Sequence, residues 1–222
     1  MITSYFQACI YDKDQSYLRR TPRRRSRSFV QAFLKMHFCV LEDTASINIT
    51  KIDGTNSAVS FGTSLGRKNV AFCATAPGRG GSGMMDFGGA ATGTELWSSS
   101  TNNGIVVGTG TTAVAPTDYQ LATQVLDGIT SGTLEHFTCA ATNFTTAGLT
   151  ASFDIERLFR NSSGGTITLN EVGIYSAMAQ FSAQVNFTAI DHFCIIRDIV
   201  SPGFAVLNGE YARIVYTISV TS

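Results

Sequence analysis

Three groups of residues have types and spacings that could do chemistry. Gly78, Gly80 and Gly83 match the G-x-G-x-x-G pattern of a dinucleotide-binding turn, and Val70 to Thr75 before them reads as a strand. That chemistry needs a helix to follow, because the pyrophosphate rests on the helix's first N–H groups. The chain continues Met84-Met85-Asp86-Phe87-Gly88-Gly89, a poor helix, so no cofactor is expected. His37, His136 and His192 are isolated in the sequence. Strand pairing could bring His136 and His192 together beside Glu135 and Asp191 as a metal or acid–base pair. The apolar neighbours of His192 favour a histidine set in or beside a core, so no metal is expected either. The third group is the arginine cluster Arg19, Arg20, Arg23, Arg24, Arg25 and Arg27. Each guanidinium can pair bidentately with phosphate, and a flexible basic arm binds nucleic acid through counterion release without reading sequence. Aromatics are not interleaved within the cluster, so base stacking is not indicated. The same cluster would equally suit the acidic surface of a neighbouring subunit.

Other routes to catalysis are weak. No serine sits in a G-x-S-x-G elbow. Cys9, Cys39, Cys73, Cys139 and Cys194 are odd in number and far apart, which excludes CxxC spacing and argues for free, mostly buried thiols. Asp154 and Glu156 alternate with Phe153 and Ile155, which puts the two carboxylates on a solvent face. No enzyme is expected.

The elements that would position these residues read as strands. A chain of 222 residues with 44% apolar residues can build one sizeable core, and 21 glycines against 4 prolines with 14% charged residues describe strands and turns. Charge is uneven although the formal total is zero. Residues 1–28 hold seven basic and two acidic residues, leaving nine basic and fourteen acidic residues in the remainder. Residues 12–28 are polar and interrupted by Pro22, so no fold of their own is expected. Phe29 to Leu41 suits a helix or a strand, and could pack on a neighbouring subunit or lie on a membrane surface. No run reaches the ~18 apolar residues of a membrane span, and no signal peptide is recognisable at the start. Met36 leaves open whether translation begins there.

From Ile47 onward alternation predicts strands at Ile47–Ile52, Ala58–Phe61, Val70–Thr75, Ile105–Val107, Leu134–Ala141, Leu149–Phe159, Ile167–Tyr175, Val185–Arg197 and Tyr211–Val220. Asp53-Gly54 predicts a hairpin. Leu149 to Tyr175 reads as a second hairpin across Asn161-Ser162-Ser163-Gly164-Gly165, with a bulge or a second buried face near Glu171, where the apolar parity slips. Phe153, Ile155, Ile167, Leu169, Ile214, Tyr216 and Ile218 are the expected core. Pro77 to Asn103 is long enough to expect subunit contacts. The expected fold is all-β, an antiparallel jelly-roll-like β-sandwich over residues 42–222, preceded by a basic N-terminal arm with a short apolar segment over residues 1–41.

Three stretches carry a resemblance. Gly104-Ile-Val-Val-Gly-Thr-Gly-Thr-Thr-Ala-Val-Ala-Pro-Thr-Asp-Tyr-Gln-Leu-Ala-Thr123 resembles a recurring segment of structural proteins of tailed bacteriophages. Arg160-Asn-Ser-Ser-Gly-Gly-Thr-Ile-Thr-Leu-Asn-Glu-Val-Gly-Ile-Tyr175 resembles a second. Ile196-Arg-Asp198 with Asn208-Gly-Glu-Tyr-Ala-Arg-Ile-Val-Tyr-Thr-Ile-Ser219 is similar to their closing strand. Together they span about half the chain and leave the basic arm uncovered. The resemblance implies a non-enzymatic component of a tail, a tail fibre or a head surface, located in the virion and contacting other virion proteins. A homo-oligomer with residues 1–41 reaching onto a neighbour fits it. The rival expectations are a coat protein whose residues 1–28 contact packaged nucleic acid, and a carbohydrate-binding fibre tip using Trp97 or Tyr119.

Overall fold

The structure, a computed structural model, describes residues 2–26, 28–41, 47–59, 101–181 and 187–221. These residues form β1 (Ile2–Tyr11), β2 (Tyr17–Arg20), β3 (Arg24–Ser26), α1 (Gln31–Leu41), β4 (Ile47–Thr50) and β5 (Asn56–Val59). They continue with β6 (Gly104–Gly108), β7 (Glu135–Ala147), β8 (Thr150–Arg160), β9 (Ile167–Phe181), β10 (Phe187–Val206) and β11 (Tyr211–Thr221). The fold is all-β, and every pairing between named strands is antiparallel.

One sheet has the order β2-β1-β11-β8-β7, with β3 extending the β2 edge along β1. A second has the order β10-β9-β6, and β4 and β5 form a hairpin of their own. Period-two alternation decides what each strand of the large sheet buries. β1 turns Phe6, Ala8 and Ile10 inward, where they face Tyr216, Ile214 and Ala212 of β11 in register. β8 adds Ile155 and Phe159. The small sheet contributes Ile105, Val107, Val172 and Ile174 to the same apolar cluster. Of the expected core, Ile155, Ile167, Leu169, Ile214 and Tyr216 are buried, and Phe153 and Ile218 are partly buried against it.

The Asp53-Gly54 hairpin forms between β4 and β5, with Gly54 at φ +82° and the Asp53 carboxylate accepting the Thr55 N–H at 2.8 Å. The second expected hairpin does not. β8 has β7 and β11 as its neighbours, β9 has β6 and β10, and the Asn161–Gly165 turn carries the chain from one sheet to the other. The turn from β10 to β11 makes the same crossing in reverse, and the two corners are bonded together. Asn161 is fully buried. Its Nδ2 donates to the Gly165 and Val206 carbonyls at 2.8 and 2.7 Å, and its carbonyl accepts the Gly209 N–H at 2.7 Å. A polar turn between two alternating strands is the sequence signature of either outcome, so alternation alone cannot distinguish a hairpin from a corner.

The parity slip at Glu171 does mark a second buried face, since residues Glu171 to Ser176 are buried on both sides of β9. The irregularity opposite it lies on β10, where pairing shifts between Ile199 and Phe204.

The expectation for the N-terminal 41 residues requires correction. Residues 12–28 are not without fold, because β2 and β3 pair with β1, and β1 lies between them and β11 within the large sheet. The following segment packs on this chain's own small sheet. Phe29 bridges Ile196, the Val30 N–H donates to the Ile195 carbonyl, and Val30, Ala32 and Met36 are buried. Helix wins over strand from Gln31 to Leu41 because Ala32 and Met36, one turn apart, share the face that meets the core. The arm and the body are therefore one folded unit among the described residues. Val70–Thr75, the glycine pattern at 78–83 and most of Pro77–Asn103 lie outside them.

Candidate functional site

The densest polar cluster is buried, and it joins residues from 108–123, 171–175 and 197. Glu171, at the slip in β9, is wholly inaccessible. Its carboxylate accepts the backbone N–H groups of Gly110, Ala122 and Thr123 at 3.1, 3.0 and 2.7 Å, and Nε of Arg197 at 3.1 Å. Arg197, on β10, is 2% exposed and donates further to Asp118 at 2.6 Å and to the Thr112 carbonyl at 2.8 Å. The Tyr175 hydroxyl accepts the Leu121 N–H at 2.7 Å, and burial raises its pKa far above the usual range. Together these groups hold residues 109–123 against the small sheet and satisfy backbone that a loop would otherwise present to water. Gly108 and Gly110 are glycines because the Glu171 carboxylate and residues Ala122 and Thr123 leave no room. A Cβ on Gly108 would fall 2.6 Å from Oε1 of Glu171, and one on Gly110 would clash with the same oxygen. Next along β10, Asp198 accepts the Tyr216 hydroxyl at 3.1 Å and links the two sheets.

A second buried cation sits on β8. Arg157 is 1% exposed and donates to the carbonyls of Phe137, Asn103 and Ile105 at 2.7, 3.0 and 3.0 Å. It joins an inward face otherwise made by Ile155 and Phe159, and its parity was the available sequence signal. Asp154 and Glu156 lie on the opposite face, as alternation predicts. There Asp154 accepts the Thr217 hydroxyl at 2.7 Å and Glu156 pairs with Arg213.

The histidines do not meet as a pair. His136 is on β7 of the large sheet and His192 on β10 of the small one, with different neighbours. His136 is buried edge-on to Phe159, with ring centroids 4.9 Å apart. Burial first, and the Arg157 charge second, push its pKa down to about 3, against an opposing interaction with the Val125 backbone. A histidine held neutral in the fold and ordinary once unfolded contributes stability that is complete above pH 6.5. It is lost as pH falls towards 3, because the unfolded chain then binds the extra proton. At 1.36 kcal/mol per pH unit, His136→Leu is expected to lose roughly 2–3 kcal/mol less stability than the parent between about pH 7.5 and 4.5. Urea unfolding at the two pH values measures this, and equal losses would refute the assignment. Among the described residues no group of three or more His, Cys, Asp or Glu could hold a metal, and Cys9, Cys139 and Cys194 are free thiols.

The arginine cluster is divided by its strands. Arg19 extends to Glu210 in a bidentate pair, both contacts at 2.9 Å, and also donates to the Ala205 carbonyl. Arg24 donates to the Ser201 carbonyl at 2.6 Å. These two side chains tie the edge of the large sheet to β10 and to the β10–β11 corner. Arg20, Arg23 and Arg25 are exposed, and Arg27 lies outside the described residues. Strand pairing also supplies what the linear cluster lacks, since Arg23 lies over the ring of Tyr5, 4.5 Å from its centre.

No family model, curated protein or solved structure matches this chain. Among the described residues, no helix is long and apolar enough to cross a membrane.

Proposed function

We propose that the chain is a non-enzymatic structural component of a bacteriophage virion, of tail, fibre or head-decoration type, acting by assembly into a homo-oligomer and contacting other virion proteins. The supporting observation is the convergence at Glu171. Gly108, Gly110, Asp118, Glu171, Tyr175 and Arg197 come from three separate stretches, each of which resembles phage structural proteins, and they meet in one buried network. Their common task is to fix a long loop on a rigid sheet, and rigid loops on β scaffolds are suited to binding partners. In this reading the buried charges serve architecture, and a jelly-roll-like sandwich is the scaffold.

Light scattering of the full-length protein tests the assembly step. The expected result is an oligomer of one defined mass that persists on dilution and in high salt. A monomer under all these conditions would count against it.

A further inference from the structure

We propose that the outward face of β1 and its edge strands is a binding site for single-stranded nucleic acid, formed on the folded sheet. Register decides which arginines are available. Arg19 and Arg24 stand opposite Ile10 and Phe6, on the inward parity, and are engaged by Glu210 and by the Ser201 carbonyl. Arg20 and Arg25 stand opposite Cys9 and Tyr5, on the outward parity, exposed and without an acidic partner among the described residues. Arg23, in the connection between β2 and β3, is also exposed. A depression of about 530 Å³ is lined by Gln7, Arg20, Thr21, Pro22 and Arg23, two of these arginines among them.

The aromatic rings on the same face decide the occupant. Tyr11 and Tyr17 are cross-strand partners with ring centroids 6.0 Å apart, and Tyr17 is 55% exposed. Tyr5 carries the Arg23 guanidinium carbon 4.5 Å from its ring centre, and Arg23 is exposed. From Tyr5 to Tyr11 the strand runs about 20 Å. Rings interleaved with cations that no described carboxylate neutralises match the two requirements of a single strand, phosphates to neutralise and bases to stack. A duplex hides its base faces, and an acidic protein surface needs cations alone. This inference does not rest on the assembly reading, since a monomer that binds single strands would preserve one and remove the other.

Fluorescence anisotropy of the full-length protein with labelled oligo-dT, and with a duplex of equal length, tests it at about 50 mM and about 200 mM salt. Oligo-dT should bind more tightly than duplex, with a log–log salt slope of about −2 for three cations on a single strand. Joint Arg20→Gln, Arg23→Gln and Arg25→Gln substitution should weaken binding at least tenfold. Tyr17→Ser should weaken oligo-dT binding roughly tenfold and leave duplex binding unchanged. Lys35→Gln, on α1, should have no effect. No oligo-dT binding at the lower salt, equal affinity for duplex, or unchanged binding by the triple variant would each overturn the proposal. So would a triple variant whose main change is a smaller oligomer, which would make the face a subunit interface.

Discussion

A chain that begins at Met36 is expected not to fold as a stable monomer. It lacks β1, whose ten residues are all in register with β11 from Ile2↔Val220 to Tyr11↔Tyr211, and with β1 go the edge strands β2 and β3. Phe6, Ile10 and Val30, all buried, leave the core. Each such side chain contributes about 1.5–3 kcal/mol by burial, so their loss alone approaches the roughly 5–15 kcal/mol net stability of a domain. The shortened chain would also expose β11 along its length as an unpaired edge, which recruits other strands. The expected result is aggregation, or recovery only as an associated species. A synthetic peptide of residues 1–30 supplied during refolding should restore soluble protein by occupying the vacant edge. Circular dichroism and size-exclusion chromatography with light scattering make the measurement. A shortened monomer with a cooperative melt near the parent's would show that β1 is dispensable.

Glu171→Ala is the substitution with the largest expected effect. It strips the Arg197 guanidinium of one of its two carboxylates and leaves three backbone N–H groups, from Gly110, Ala122 and Thr123, without their acceptor. Removing one partner of a buried ion pair costs about 3–5 kcal/mol, and unsatisfied buried donors add to that. A loss of at least about 4 kcal/mol is expected by urea unfolding, with the 109–123 segment becoming the first site of limited proteolysis. Asp118 still pairs with Arg197 at 2.6 Å in either variant, and Glu171→Gln should be milder than Glu171→Ala. It keeps one acceptor oxygen but introduces a donor amide among donors. The double variant Glu171→Met with Arg197→Met should be less damaging than the sum of its singles, since it removes the two most buried charges together and leaves only Asp118, whose side chain is 22% exposed, without its cation. A loss below about 1 kcal/mol for Glu171→Ala would mean that the loop is held by something other than this carboxylate.

Much of the scaffold was legible because alternation is a local property. The pattern from Tyr211 to Val220 placed Ile214 and Tyr216 inside, and the Asp154/Glu156 parity correctly pointed those carboxylates outward. The parity that buried Ile155 and Phe159 also assigned Arg157 inward, although a charge at that position looks like an exception until its three carbonyl acceptors are seen. β1 was missed because its outward residues, Tyr5, Cys9 and Tyr11, are apolar or aromatic, which blurs the contrast on which the pattern depends. β2 and β3 were missed for a different reason. A run of arginines has no hydrophobic period, and only the β1 edge makes it into strands.

By itself, then, the sequence determined the all-β class, most strand positions, the Asp53-Gly54 hairpin and the inward sets of β8 and β11, since each follows from turn chemistry and a two-residue period within a few neighbours. Tertiary structure alone decided which strands pair, and so turned the expected second hairpin into a corner held by Asn161. It also gathered Asp118, Glu171 and Arg197 from three distant stretches, and it divided one arginine run into clamps and outward cations. These outcomes depend on which backbone edge lies beside which, and that is settled by burial and hydrogen-bond satisfaction over the whole chain.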